Sequence, residues 1–330
     1  MKVGVVGLGK MGLLHSCILS TLPGVEVVAV CDRSWVIRRV FKKLFKNAVV
    51  VDDVVKMVSL GLDAVYVTTP IPSHYSVVKA VYSNKVARHL FVEKTLAMNF
   101  GQAKELCDLA ESFGGVNMVG YMKRYAVTFR KAKELIDNGV IGDLESLSAY
   151  AYSSDFAEAS VGSKESLSRG GVLSDLGSHI IDLMLWFFGD LTVESAAVNS
   201  VLRSGSEDAV HFNVKAQGGI FGEVDVSWCK REYRMPEFSL TICGKDGLIK
   251  VDDDQVILEL KNGDLRKWYR HDLGDAVGFL IGAPEYYRED EAFVKAVQEG
   301  SHVEPDFFEA SKVDYLIEEV KRRRMGNDSQ

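Results

Sequence analysis

Short apolar runs separated by amphipathic stretches organise the first 120 residues. KVGVV (2–6), VEVVAVC (25–31), a short run at 48–51, DAVYVTTP (63–70), HLFVEKT (89–95) and VNMVGY (116–121) are rich in β-branched and other apolar residues. Between them the periodicity predicts helices over about 11–21, 35–46, 53–59, 73–84 and 99–113. Runs that are apolar throughout suit strands covered on both faces. The alternation therefore predicts a parallel sheet with helices on both sides.

After about residue 121 the texture changes. A helix over 124–138 ends at Gly139, and SLSAYAYSS (146–154) reads as a strand. A Gly/Ser-rich segment (160–171) precedes a strongly apolar helix, 175–188. Strands then follow at 193–201, 209–217, 220–229, 237–243, 247–251 and 255–260, joined by turns such as GKDG and KNGD. Consecutive strands with short turns indicate an antiparallel or mixed sheet. Helices over about 286–299 and 305–324 close the chain. The expected class is α/β: a Rossmann-type domain over 1–120 and an α+β domain over 121–330.

Composition narrows the function classes. With a formal net charge of −7 the chain has no broad basic footprint for nucleic acid. The run Lys321–Arg322–Arg323–Arg324 reads as the closing turn of a final helix, where cations complement the dipole. The five cysteines (17, 31, 107, 229, 243) form no C-x-x-C pair, which argues for reduced thiols and a cytoplasmic setting. The histidines show no metal-binding spacing. The N-terminus carries no cleavage signal, and no stretch has the apolar length of a membrane span.

Candidate chemistry begins at GLGKMG. Gly7, Gly9 and Gly12 stand in G-x-G-x-x-G spacing, directly after a strand and opening a helix, with Lys10 and Met11 inside the loop. The first glycine permits a tight turn, the second lets backbone approach a pyrophosphate, and the third allows close helix–strand packing. Asp32 lies twenty residues beyond Gly12 at the end of the second strand, where a carboxylate can bind both ribose hydroxyls. That favours NAD. Arg33 beside it keeps NADP open, since a guanidinium there can pair with a 2′-phosphate. Asp175, His179 and Asp182 fall at i, i+4 and i+7 on one face of an otherwise apolar helix, and burying them without partners would be costly. They form either a polar seam or a catalytic stripe, with His179 as the general acid/base.

Taken in order, GLGKMGLLH, TTPIPSHY (68–75), VEKTLA (92–97), VGYMKRY (119–125), IGDL (141–144), GGVLSDLGSHIIDL (170–183) and CGKDGLIKV (243–251) resemble the Gfo/Idh/MocA oxidoreductases, the glucose–fructose oxidoreductase and inositol dehydrogenase family. The resemblance spans nearly the whole chain and implies a second domain built on a large, mainly antiparallel open sheet. It makes Lys94 the lysine of an E-K-P motif, with Glu93 beside it on the cofactor side. A bare Glu–Lys pair would otherwise be read as solvated surface. Thr95 replaces the usual proline, so the Lys94–Thr95 bond is expected to be trans.

By the same resemblance Thr69, Pro70 and His74 run under the nicotinamide ribose. Tyr121, Lys123, Arg124 and Asp182 line the substrate pocket, and Asp175 tunes His179. Gly170 and Gly171 let the loop pass close to the nicotinamide. Ala126 stands where inositol-type relatives usually have Asp. Trp228 and Tyr233 are read first as core, and His15 as packing.

The expected activity is NAD(P)-dependent oxidation of a secondary hydroxyl on a sugar, cyclitol or sugar-nucleotide, with Lys94 polarising the oxygen and His179 taking the proton. Two alternatives are a dinucleotide-binding regulator without turnover and a glycosidase that uses tightly bound NAD. The expected partners are a sugar or polyol substrate and further copies of the chain, as a homodimer or homotetramer through the second sheet. Neither nucleic acid nor membrane is expected.

Overall fold

The structure, a computed structural model, describes residues 1–154, 170–201 and 206–327, without the side chains of 324–327. It divides into two compact units, Met1–Met122 with Val277–Asp314, and Lys123–Ala276 with Tyr315–Gln330. A single break near residue 120 is therefore too simple, because 277–314 returns to the first unit. The pattern switch marks where the strand type changes, and it carries no signal for a segment that comes back.

In the first unit strands β1 (Lys2–Val6), β2 (Glu26–Cys31), β3 (Val49–Val51), β4 (Ala64–Val67), β5 (His89–Glu93) and β6 (Asn117–Gly120) are ordered β3-β2-β1-β4-β5-β6. Every pairing is parallel. The helices are α1 (Lys10–Leu19), α2 (Trp35–Leu44), α3 (His74–Ser83) and α4 (Phe100–Phe113). Val3, Val5, Val65, Val67, Leu90 and Val92 are wholly buried, as continuous apolar runs require. The Ser34 hydroxyl caps α2 and the Asn99 side chain caps α4, accepting from Gln102 N at 3.0 Å. The 53–59 segment is a 3-10 helix, Val54–Leu60.

This strand order places a topological switch between β1 and β4. Ligands of open α/β sheets bind at the carboxyl ends of the strands beside such a point. The expected strand over 63–70 stops at Val67 because Thr68 turns there, its hydroxyl donating to Gly7 O at 2.6 Å.

The second unit contains α5 (Val127–Asp137), preceded by a 3-10 turn Met122–Tyr125, and strand β7 (Leu144–Tyr152). A π-helical turn, Leu173–Gly177, leads into α6 (Ser178–Phe188). Strands β8 (Leu191–Asn199), β9 (Ala209–Ala216), β10 (Phe221–Ser227), β11 (Glu237–Gly244), β12 (Gly247–Asp252), β13 (Gln255–Leu260) and β14 (Leu265–Tyr269) follow. With β7 they form one sheet ordered β14-β13-β12-β11-β7-β10-β9-β8. It is antiparallel except where β7 meets β10.

Strict alternation in β9 and β11 buries Val210, Phe212 and Val214, and Phe238, Leu240 and Ile242, on one face. The edge strand β14 (LRKWY) was not legible, since its mostly exposed residues show no alternation. Helices α7 (Pro284–Glu299) and α8 (Phe307–Asn327) complete the chain. Most of the Gly/Ser-rich 160–171 segment lies outside the described residues. No helix among the described residues is long and apolar enough to cross a membrane.

Asp314 in α8 is 3% exposed, and its Oδ1 accepts a long bond of 3.4 Å from Ala97 N. Its Oδ2 has no partner. Burial holds the carboxyl well above the usual carboxylate range. The folded chain thus keeps a proton that the unfolded chain loses, and the residue costs stability as pH rises through that interval. Asp314→Asn should therefore be more stable than the parent at pH 8, with the gap closing towards pH 4. Thermal unfolding at the two pH values checks this; an equal gap at both would contradict it.

Candidate active site

The nucleotide loop is built by close backbone packing. Gly7 has φ +92°, and a Cβ there would lie 2.6 Å from Thr69 N. A Cβ on Gly12 would lie 2.0 Å from Gly7 O. Both positions exclude any side chain. Gly9 is different: nothing lies within 4 Å of its Cβ position, and it opens α1 without a side-chain cap. An open approach to the N-terminal amides of a helix is what a pyrophosphate requires. Lys10 is exposed and Met11 half-buried beside it.

Asp32 follows β2. Its Oδ2 accepts from Leu8 N and its Oδ1 from Ser34 N, each at 2.8 Å, which ties the carboxylate to the glycine loop. A carboxylate has about four acceptor positions, so each oxygen keeps one for a ribose hydroxyl. Arg33 is exposed, and its carbonyl accepts from Arg38 Nη1 at 2.8 Å. After β4, Thr69 keeps a buried hydroxyl without a partner, and Pro70 is exposed. These residues fit a dinucleotide: an open amide nest, a fixed carboxylate and an orphan hydroxyl on one sheet edge.

His74 is fully buried and lies between two carbonyls, Nδ1 to Thr95 O and Nε2 to Thr69 O, both 2.7 Å. Burial lowers its pKa more than the two carbonyls raise it. The neutral ring can donate to one of them at a time. His74 thus braces the ends of β4 and β5 from within, a different role from direct contact with a ribose.

Lys94 is half-buried at the C-terminal end of β5. The Lys94–Thr95 peptide is cis, which corrects the expectation of a trans bond. Local preference is overridden by the setting of Thr95, which is buried, bonded from its hydroxyl to Ala97 O at 3.0 Å and from its carbonyl to His74.

Glu93 also departs from expectation. Its Oε1 lies 2.9 Å from His15 Nε2, so the side chain joins an interior cluster instead of offering itself to the coenzyme. His15 is fully buried, with Nδ1 at 2.8 and 2.9 Å from the Asp290 carboxylate. Burial opposes charge on this ring, but Asp290 and Glu93 outweigh it and raise its pKa well above the usual value. His15 is therefore more than packing. Glu289 and Asp290 were missed because periodicity assigns charged helix positions to solvent; the signal available was the i, i+4, i+8 stripe Glu285, Glu289, Phe293.

Tyr121, the remaining candidate of the first unit, is fully buried. In the second unit Arg124 and Asp182 find each other. Nε donates to both oxygens at 2.9 and 3.1 Å, Nη2 to Oδ1 at 2.8 Å, and both residues are buried. The paired geometry neutralises both charges. Lys123 pairs with Asp253, and its ammonium lies 4.7 Å from the Phe238 ring centroid. The His179 ring meets the same Phe238 edge-on at 5.3 Å.

His179 and Asp182 belong to α6, whereas Asp175 belongs to the π turn before it. Gly171 (φ +92°) clears Glu207, whose carboxylate would lie 2.2 Å from a Cβ there. Lys321 pairs with that carboxylate at 3.0 Å. Trp228 is wholly buried, and Tyr233 packs on Tyr150 and Tyr152.

Both units match known proteins. Residues 1–121 match the model of the oxidoreductase family with an NAD-binding Rossmann fold, and residues 129–250 match the GFO/IDH/MocA C-terminal domain. D-glucoside 3-dehydrogenase of Escherichia coli is 28% identical over 68% of this chain and 62% of its own length, so the match spans about three fifths of that relative. Myo-inositol 2-dehydrogenase of Thermotoga maritima is 25% identical over 91% of this chain and 89% of its own. The solved structure of levoglucosan dehydrogenase with NADH and L-sorbose has the same fold, with TM-score 0.88 and 19% identity, over 98% of this chain and 96% of that one.

Gly12→Ala should lower stability by about 1–3 kcal/mol, as overpacking does, and weaken NADH binding. Thermal unfolding and a fluorescence titration with NADH measure both. Unchanged NADH affinity would contradict the reading of the loop.

Proposed function

The chain belongs to the GFO/IDH/MocA family of oxidoreductases, and we propose that it oxidises a secondary hydroxyl of a sugar, cyclitol or sugar-nucleotide with NAD. One observation carries this reading: Lys94 stands half-buried at the carboxyl end of β5, on the sheet edge that also bears the glycine loop after β1 and Thr69 after β4. Bound NAD supplies the hydride acceptor. The amides at the start of α1 hold its pyrophosphate and Asp32 its ribose. The Lys94 ammonium hydrogen-bonds the reacting oxygen and stabilises the negative charge that develops there. His179 accepts the hydroxyl proton, as an imidazole general base does.

The preference for NAD follows from Asp32, which would repel a 2′-phosphate. Sugar and cyclitol substrates are supported by the relatives, a glucoside dehydrogenase and an inositol dehydrogenase among them. The Arg124–Asp182 pair borders the substrate, offering two fixed polar groups to its hydroxyls. Self-association through the open face of the second sheet accompanies this reading.

A panel of polyols, aldoses and sugar-nucleotides with NAD and NADP, followed by NADH absorbance, identifies the substrate. On that substrate Lys94→Ala should lower turnover about 100- to 1000-fold with NADH affinity little changed. Near-normal turnover would remove Lys94 from the chemistry.

A further inference from the structure

The interior cluster around His15 is a second site of a different kind, and the dehydrogenase reading makes no use of it. His15, Glu289 and Asp290 are wholly buried and Glu93 nearly so. Three carboxyl groups thus surround one imidazole, and ionisable groups are kept in an interior when they are paired or coordinate a metal. Even a protonated ring would leave the group electron-rich. The second observation is independent of the count: both carboxylate oxygens of Glu289 are buried without a hydrogen-bond partner. One ligand atom each from Glu289, Glu93 and a ring nitrogen of His15 lie within 4.8 Å of one another.

The orientation of the imidazole decides what fits. Asp290 is acceptor-only when ionised, so at 2.8 Å it takes a proton from Nδ1. Nε2 then faces Glu93 Oε1 at 2.9 Å, and a cation bound there takes the place of the proton that this nitrogen holds in its absence. Two lone pairs at that separation repel unless a proton or a cation is shared between them. A carboxylate holding the far nitrogen of a histidine whose near nitrogen faces further carboxylates is the outer-shell arrangement of metal-binding histidines. With metal–ligand bonds of roughly 2.0–2.2 Å, a 2.9 Å ligand separation subtends about 90° at the ion. The angle suits a first-row divalent ion with mixed nitrogen and oxygen ligands.

We propose that His15 Nε2, Glu93 and Glu289 bind one divalent transition-metal ion, Zn²⁺ or Mn²⁺, with Asp290 orienting the histidine. The ion ties α1, β5 and α7 together at the residue next to Lys94. It is structural, and its presence is separable from turnover: a chain with no dehydrogenase activity would still carry it.

The site is interior, so the ion is loaded as the chain folds. The full chain is therefore expressed in medium supplemented with ZnCl₂ and MnCl₂, gel-filtered without chelator, and its metal content measured by mass spectrometry. The expected result is about one ion per chain. Glu289→Gln keeps the shape of a neutral carboxyl and should retain the fold while lowering metal content about tenfold or more, as should His15→Gln. Glu309→Gln, in the more exposed His302–Glu304–Glu309 group, should change nothing. Metal-free parent protein would overturn the proposal, with a shared proton occupying the cluster instead. Full metal content in folded Glu289→Gln, or loss in Glu309→Gln, would overturn it equally.

Discussion

The end of strand β5 is the constraint on which the rest of the first unit depends. Glu93 is drawn inward by His15 at 2.9 Å, and Thr95 is held through its carbonyl by His74 at 2.7 Å. Lys94 lies between two fixed neighbours, so its backbone has little freedom and only its side chain can adapt. The same His74 reaches Thr69 O, and a Cβ on Gly7 would strike Thr69 N. Glycine loop, β4 end and β5 end are thereby linked by backbone contacts. A site whose groups must be placed within fractions of an ångström gains from a rigid frame of this kind.

The second unit solves a different problem. Its apolar helix α6 carries His179 and Asp182, which burial would penalise without partners. Asp182 is neutralised by the bidentate guanidinium of Arg124, while Lys123 is paired with Asp253 and covered by Phe238. Phe238, an inward residue of β11, also meets the His179 ring, so a sheet residue links the two polar groups that sequence had placed on separate elements. Within the polar stripe, Asp182 is thus the member whose charge the Arg124 guanidinium balances.

Much of this was legible from pattern. Apolar runs and glycine spacing located the parallel strands and the nucleotide loop, because strands covered on both faces and a loop that excludes Cβ atoms leave direct marks on sequence. Resemblance supplied Lys94 as a candidate, and the polar stripe on an otherwise apolar helix supplied His179. Illegible were the features set by distant parts of the chain. The cis Lys94–Thr95 bond depends on surroundings and not on the residue pair. The return of 277–314 to the first unit, and with it Glu289, Asp290 and Asp314 in the interior, contradicts the rule that charged helix positions face water. Strand β14 is hidden for the converse reason, since an exposed edge needs no apolar alternation.

The central claim is a hydride transfer from a carbinol carbon to the coenzyme. It is tested most directly by offering NAD with a turned-over polyol deuterated at the oxidised carbon, and recovering the reduced coenzyme for mass spectrometry. One deuterium in the NADH, with a slowed rate relative to the unlabelled polyol, is the predicted result. Reduced coenzyme free of label, or a released sugar with no net NADH, would contradict it.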